Sequence, residues 1–411
     1  MDARGIAVTV GQVRHHRLQN LRREACRGVV VQVDDVHRRI LASRPRRSHP
    51  RSPRRRVNPI FQSFRKFQRL LAASYGRPVS FVRMNKTPTL ALAGLIDCIR
   101  DELSAVEELF ERELRSDLPC VNTLVRHVSR FRGKMLRPSL LLLAGKACGQ
   151  TGPGHIVLAT VVEMVHMATL VHDDVLDDAE LRRKGATINH LKGNEAAVLL
   201  GDYLISHSYH LCSSLQNQLA ARAIARTTNQ VCEGELLQLD NRHRLDLDEA
   251  TYLRIIALKT ASLCAACCQL GATFAGADEA TVRRMEEYGR ALGMAFQVQD
   301  DILDIVGEAA TVGKTLGSDI EKGKMTLPLI HFLQSAPREH GMLLRSLLEG
   351  REPDRAEKIR NLVVPGDSIA YAAARARMYV DAARAALSFL PDSDARRALD
   401  AMAEFAVSRP M

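Results

Sequence analysis

The sequence predicts an all-α protein, a bundle of ten or more helices around a buried central layer. Three observations carry that prediction. From Met84 onward, apolar residues return at helical spacing in one segment after another. Alternating runs bounded by Asn-Gly or Asp-Gly, the mark of hairpin strands, are missing. Several segments are apolar on most faces, which places them inside a shell of other helices.

The first stripe is Leu92, Leu95, Ile99, Leu103, Val106 and Phe110, within residues 92–114. Further helices are expected at about 139–149, 155–178, 194–215, 217–238, 250–274, 280–306, 325–335, 341–348, 368–389 and 394–407. No linker divides this body, which is long enough to bury a large core. Its richest apolar run, Ile156 to Val171, is interrupted by Glu163 and His166. No stretch reaches the roughly 18 uninterrupted apolar residues of a membrane-crossing helix, so no transmembrane segment is expected.

The chain has 411 residues and a formal net charge of +11, but the charge is uneven. Residues 1–83 carry 20 Lys and Arg against 4 Asp and Glu, whereas residues 84–411 carry 38 against 43. The chain therefore reads as a basic, largely disordered leader (1–83) followed by an all-α domain (84–411). Within the leader, the Arg/Pro/Ser run at 44–56 cannot bury a core, and Phe61 to Leu71 has the pattern of a short basic amphipathic helix. An acid-poor, Arg-rich leader has the composition of a transit peptide to the mitochondrion or plastid. The plainer reading is a natural start at Met84 and a cytoplasmic protein. Because the basicity belongs to the leader, it is no nucleic-acid footprint of the body. With no Trp and 4% aromatic residues, there is no stacking platform for single strands. The nine cysteines are odd in number and sit mostly in apolar helical surroundings. They read as reduced thiols, and Cys264-x-x-Cys267 as helix packing.

The chemistry begins at Val171 to Asp178, VHDDVLDD. Asp173 and Asp177 are four apart and share a helix face, with Asp174 and Asp178 a neighbouring pair. A solvated acidic face explains this run alone equally well. The second run, FQVQDDILD at Phe296 to Asp304, weakens that explanation, because it repeats the spacing at Asp300 and Asp304 on another apolar helix. Two such helices face to face suit a cluster of Mg²⁺, a hard cation that takes carboxylate and phosphate oxygens, and such a cluster serves a diphosphate leaving group. Cations surround the runs: Lys134 and Arg137 in GKMLRP, then Arg182 and Arg183, then Lys259 beside Thr260, then Lys314 and Lys324. Arg grips phosphate oxygens bidentately and Lys as a point charge. The set fits two diphosphates, one chelated through metal and one held by Lys and Arg alone.

GKMLRP, HDDVLDD followed by LRR, CEGELLQ at Cys232 to Gln238, Lys259-Thr260 and FQVQDDILD together resemble the trans-isoprenyl diphosphate synthases, over about residues 90–409. The resemblance implies an isoprenoid-synthase-like helical bundle around a deep central cavity, a homodimer and dependence on Mg²⁺. It implies isopentenyl diphosphate contacts at Lys134, Arg137, His166 and Arg183. Metal ligands are implied at Asp173, Asp177, Asp300 and Asp304, and allylic diphosphate contacts at Arg182, Lys259, Thr260, Gln297, Lys314 and Lys324. Asp173, Asp177, Lys259, Thr260, Gln297, Asp300 and Lys314 are then the catalytic set. Two departures from the family pattern follow the arginine pair: Lys184 stands in place of Gly and Ala186 in place of Pro.

The reaction implied is head-to-tail condensation. The allylic C–O bond ionises, the isopentenyl double bond attacks the cation, and the departing diphosphate takes the proton. Thr260 and Gln297 present oxygen dipoles to the cation, and apolar helices exclude water. Product length follows from what blocks the cavity below Asp173, where one turn rises about 5.4 Å. Short-chain members of the family carry bulky aromatics one turn before the first Asp. Here Ala168 and Thr169 stand there, above Val165, Met164 and Val161. The expectation is a long all-trans product of roughly six or more isoprene units, suited to a quinone side chain, released against a membrane surface. Competing readings are a farnesyl or geranylgeranyl synthase, a class I terpene cyclase and an inactive regulatory subunit. Against the cyclase stands the repeated Asp-rich run; against the inactive subunit, the complete ligand set.

Overall fold

The computed structural model describes residues 97–130, 135–182, 185–307, 317–350, 352 and 354–408. The leader, Leu92 and Leu95 of the first stripe, Lys134, Arg183, Lys184 and Lys314 lie outside the described residues. After a 3-10 turn at Asp97–Ile99 come α1 (Arg100–Glu113), α2 (Pro119–Ser129), α3 (Leu136–Cys148), α4 (Pro153–Leu176), α5 (Ile188–Lys192) and α6 (Asn194–Ser213). Next are α7 (Gln218–Asp240), α8 (Glu249–Ile256), α9 (Ser262–Phe274), α10 (Glu279–Val306) and α11 (Ser318–Glu321). The chain ends in α12 (Leu327–Ser335), α13 (Arg338–Glu349), α14 (Arg355–Val363), α15 (Ser368–Ala386) and α16 (Asp394–Ser408). A π-helical turn, Ala257–Ala261, joins α8 to α9. Among the described residues the only strands are β1 (Leu181–Arg182) and β2 (Gly185–Ala186), paired antiparallel after α4. The all-α expectation is borne out.

Local chemistry sets the helix ends. Pro119 and Pro153 open α2 and α4, where a missing N–H costs nothing. Asp248 accepts the Thr251 backbone N–H at 2.6 Å before α8, and Asp278 that of Thr281 at 2.7 Å before α10. Each such cap contributes about 1 kcal/mol.

The buried apolar residues fall into two clusters. The first takes Leu140 to Leu143 of α3, most faces of α4, the inner faces of α1, α6 and α9, Met285 to Ala295 of α10, and α16. The second takes Ile256 of α8, Val298, Ile302 and Ile305 of α10, and the inner faces of α12 to α15. α10 is the shared rod: its first half closes one core and its second half the other. By length and composition alone, α4 and the α8–α9 stretch could cross a membrane, with hydropathies of 1.6 and 1.5. However, 67% and 72% of those windows are buried inside the protein, so they are core helices.

Two glycines let backbone approach backbone around the π turn. A Cβ on Gly234 of α7 would lie 2.6 Å from the Lys259 nitrogen, and one on Gly293 of α10 would lie 2.6 Å from Ala261 Cα. Only hydrogen fits at either place, so the π turn is pressed between α7 and α10 and its side chains are positioned by both.

Candidate active site

α4 carries the first acidic run to the edge of the first core and stops there. It ends at Leu176, so Asp177 is its C-cap, with its N–H bonded to the Asp173 carbonyl at 2.9 Å. Asp178 has left the helix with φ +45. This corrects the expected neighbouring pair of Asp174 and Asp178: Asp178 points to solvent, whereas Asp174 is buried and accepts from Arg182 Nε at 2.8 Å. Burial raises the Asp174 carboxyl against the opposing pull of Arg182.

Asp177 is surrounded by cations. Arg242 donates to its Oδ1 at 2.8 Å, and Lys322 and Lys324 both reach its Oδ2 at 3.1 Å. Burial pushes this carboxyl up, but Lys324 and Lys322 outweigh it and hold it below the usual carboxylate range. Asp173 lies 3.6 Å from Lys259 Nζ. Lys259 also pairs with Glu235 and donates to Gln238 Oε1 at 3.0 Å. Burial works to discharge Lys259, yet Asp173 and Glu235 prevail and raise its pKa, so the ammonium stays charged. The lysine and its neighbour sit on the π turn, a feature concentrated at functional sites.

From Thr260 a chain of hydrogen bonds runs to the second acidic helix. Thr260 Oγ1 donates to Gln297 Oε1 at 2.8 Å, and Gln297 Nε2 donates to Asp301 Oδ1 at 2.8 Å. Tyr252 donates to Asp301 Oδ2 at 2.6 Å. Gln297 is thus fixed at both ends, and the Thr260 hydrogen is committed, leaving its oxygen lone pairs for the site. Asp301 is buried, and burial together with the negative charge of Asp319 drives its carboxyl well up. Asp300 and Asp304 are half-buried beside it. Asp304 accepts the Asp319 backbone N–H at 3.1 Å, and Asp319 lies 4.0 Å from the Lys324 Nζ that also holds Asp177. Two routes therefore join the motifs, one through Lys259, Thr260 and Gln297 and the other through Lys324 and Asp319. The expected juxtaposition is observed.

The remaining expected residues divide. Arg137, in the first turn of α3, has a buried Nε with no hydrogen-bond partner among the described residues. A buried, unpaired guanidinium nitrogen awaits an acceptor, which suits an anion site. His166 is half-buried on α4, two turns before Asp173. Arg182 pairs with Asp174 at 2.7 Å. Of the residues expected along the cavity floor, Thr169 is partly open, while Ala168, Val165, Met164 and Val161 are fully enclosed. The His172 ring fills the space over Gly201, with Nε2 at 3.2 Å from the Val198 carbonyl.

The donor set of Asp173, Asp177, Asp300 and Asp304 is all carboxylate oxygen, and it fits a hard divalent cation such as Mg²⁺. Facing it are Lys259, Lys322, Lys324 and Arg242, three of which gather on the single carboxylate of Asp177.

Comparison with known proteins decides the family. Residues 119–364 match the family model for polyprenyl synthetase. The octaprenyl diphosphate synthase of Escherichia coli is 35% identical over 309 residues, 75% of this chain and 96% of that protein.

The chain belongs to the polyprenyl synthetase family.

Component 2 of the heptaprenyl diphosphate synthase of Geobacillus stearothermophilus is 38% identical, over 75% of this chain and 95% of that one. The crystal structure of a polyprenyl synthase from Caulobacter crescentus, complexed with calcium and isoprenyl diphosphate, superposes with a TM-score of 0.74 at 35% identity. It covers 78% of this chain and 98% of that one. The resemblance to long-chain trans-prenyl diphosphate synthases is thus borne out, as is the prenyltransferase class. Against this polyprenyl synthetase fold, sequence reasoning missed Arg242, Lys322, Tyr252 and the buried role of Asp301. Lys322 stands two residues from the expected Lys324, and Asp301 lies inside the motif itself, so both carried a signal. Arg242 and Tyr252 carried none.

Proposed function

We propose that this chain condenses isopentenyl diphosphate head-to-tail with an allylic diphosphate, in the presence of Mg²⁺, to a long all-trans polyprenyl diphosphate. The observation that carries the reading is the double link between the two acidic helices, through Lys324–Asp319 and through Lys259–Thr260–Gln297. The calcium and isoprenyl diphosphate bound by the Caulobacter relative support both a divalent metal and the substrate class. Asp173, Asp177, Asp300 and Asp304 would hold the metal, whose chemistry when bound is to neutralise the leaving diphosphate. Lys259 and Lys324, with Lys314, place positive charge where the leaving group becomes negative. Arg137, with Lys134, His166 and Arg183, binds isopentenyl diphosphate so that its double bond faces the allylic carbon. Thr260 and Gln297 turn oxygen dipoles toward the cation. The departing diphosphate accepts the proton, so no protein base is required.

The body works as a homodimer in this reading. α6 leaves Val198, Leu199 and Tyr209 exposed, joined by Leu191 of α5, with Leu199 68% exposed. A second copy covers such an apolar face. The leader is dispensable for chemistry, the enzyme is cytoplasmic, and the product leaves against a membrane surface to become a quinone side chain. The test is a product assay on the full chain and on 84–411 with Mg²⁺, farnesyl diphosphate and labelled isopentenyl diphosphate. A ladder ending at six or more isoprene units, absent with Asp173→Asn, supports the reading. A ladder stopping at three or four units overturns the long-chain assignment, and no incorporation overturns the reaction.

A further inference from the structure

Asp177 holds more cations than a carboxylate needs. One negative charge faces Arg242, Lys322 and Lys324 within 3.1 Å. Arg242 has a second anchor, donating Nη1 to the Leu176 carbonyl at 3.2 Å, so it also closes the C-terminal end of α4. Among the described residues Lys322 has no second anchor of that kind, and its side chain is 28% exposed. The two come from loops far apart in sequence that are tied together. The His243 N–H donates to the Gly323 carbonyl at 2.8 Å, and the His243 ring packs where a Gly323 side chain would be. Both residues adopt left-handed backbone, φ +62 and +68. Arg242 and Lys322 therefore act on Asp177 as parts of one double loop.

This has an electrostatic consequence. A divalent cation arriving alone at Asp177 meets three positive charges and both oxygens already engaged. A diphosphate brings several negative charges and acceptor oxygens to which an ammonium can turn. We propose that Arg242 and Lys322 are place-holding cations that make metal binding depend on the diphosphate. They engage Asp177 before the diphosphate arrives. When the diphosphate arrives, Lys322 moves to its oxygens and becomes a substrate contact beside Lys324, and Asp177 Oδ2, which both lysines hold at 3.1 Å, is freed when the two turn to the diphosphate. Arg242 stays on Leu176 as a positioning residue. Metal and diphosphate then enter together. The proposal rests on the prenyl-transfer reading above.

The test uses the full chain, with Mg²⁺ titrated by calorimetry in the absence and presence of inorganic diphosphate, for wild type, Lys322→Met, Arg242→Met and Arg242→Lys. Wild type is expected to bind Mg²⁺ weakly alone and strongly with diphosphate. In Lys322→Met the two midpoints move in opposite directions. Mg²⁺ alone binds about tenfold tighter, because a competitor is gone, and Mg²⁺ with diphosphate binds about tenfold weaker, because a charged hydrogen bond is lost. Arg242→Met tightens Mg²⁺ alone, and Arg242→Lys restores wild-type behaviour. A purely structural role weakens both titrations together, and that outcome overturns the proposal, as does no change in either. A wild-type chain that responds to neither titration overturns the prenyl-transfer reading, and this inference with it.

Discussion

Replacing Gly234 by Ala tests whether the π turn is positioned by contact with α7. The added Cβ falls 2.6 Å from the Lys259 nitrogen, about 0.8 Å inside the 3.4 Å at which ordinary contact begins. The obstacle is backbone, so no rotamer change relieves it, and either α7 or the π turn must shift. Overpacking of this kind costs roughly 1–3 kcal/mol, which lowers the melting temperature by several degrees without unfolding the chain. The shift falls on the residues that hold the chemistry, because Glu235 and Gln238 of the same helix grip Lys259. A misplacement near 1 Å costs on the order of 10²-fold in rate, so kcat is expected to fall roughly 10- to 100-fold. KM for isopentenyl diphosphate should change far less, since Arg137 and His166 sit on α3 and α4. Steady-state kinetics and a thermal melt read both quantities. Gly152→Ala, where a Cβ meets nothing within 4 Å, is the control. A folded Gly234→Ala enzyme with wild-type kcat would refute the argument.

Three further outcomes are expected. The carboxyl of Asp301 is raised in the folded chain, so it holds more proton there than when unfolded, and its contribution to stability declines as pH rises from about 4 through its folded pKa. Asp301→Asn should flatten that part of the melting-temperature profile, and parallel profiles for the two chains would contradict the assignment. Gly341→Ala, in α13 where an added Cβ is unobstructed, should stabilise by about 0.5–1 kcal/mol in urea denaturation. Thr169→Phe places a ring one turn below Asp173, and chromatography of the products should show the ladder ending several isoprene units earlier; an unchanged ladder would move the floor to another helix.

The fold was legible because its cause is local. Stripes such as Ile99, Leu103, Val106 and Phe110 announce a buried helix face, and each of these residues is buried. The motif residues were legible because the carboxylate pair recurs at the same spacing on a second apolar helix. What stayed hidden joins residues far apart in sequence. Arg242 meets Asp177 across 65 residues and Lys322 across 145, and nothing near either one marks its partner. Asp301 and Asp300 read alike in one dimension; only the α10 rotation puts Asp301 inward against Tyr252 and leaves Asp300 half-exposed. The Asp174–Asp178 pair failed for the opposite reason. The helix was taken too far: Asp178 itself, with φ +45, has already left it.

The first core joins the two ends of the body. Ile99 and Leu103 share it with Leu399, Met402 and Ala406 of the last helix, and Tyr288 of α10 donates to the Leu399 carbonyl at 2.8 Å. During synthesis at about 5–20 residues per second, α1 emerges roughly 15–60 s before α16 exists. For that interval α3, whose Leu140 to Leu143 are fully buried, lacks part of its cover. A nascent chain arrested before residue 394 therefore leaves that part of the first core open to solvent.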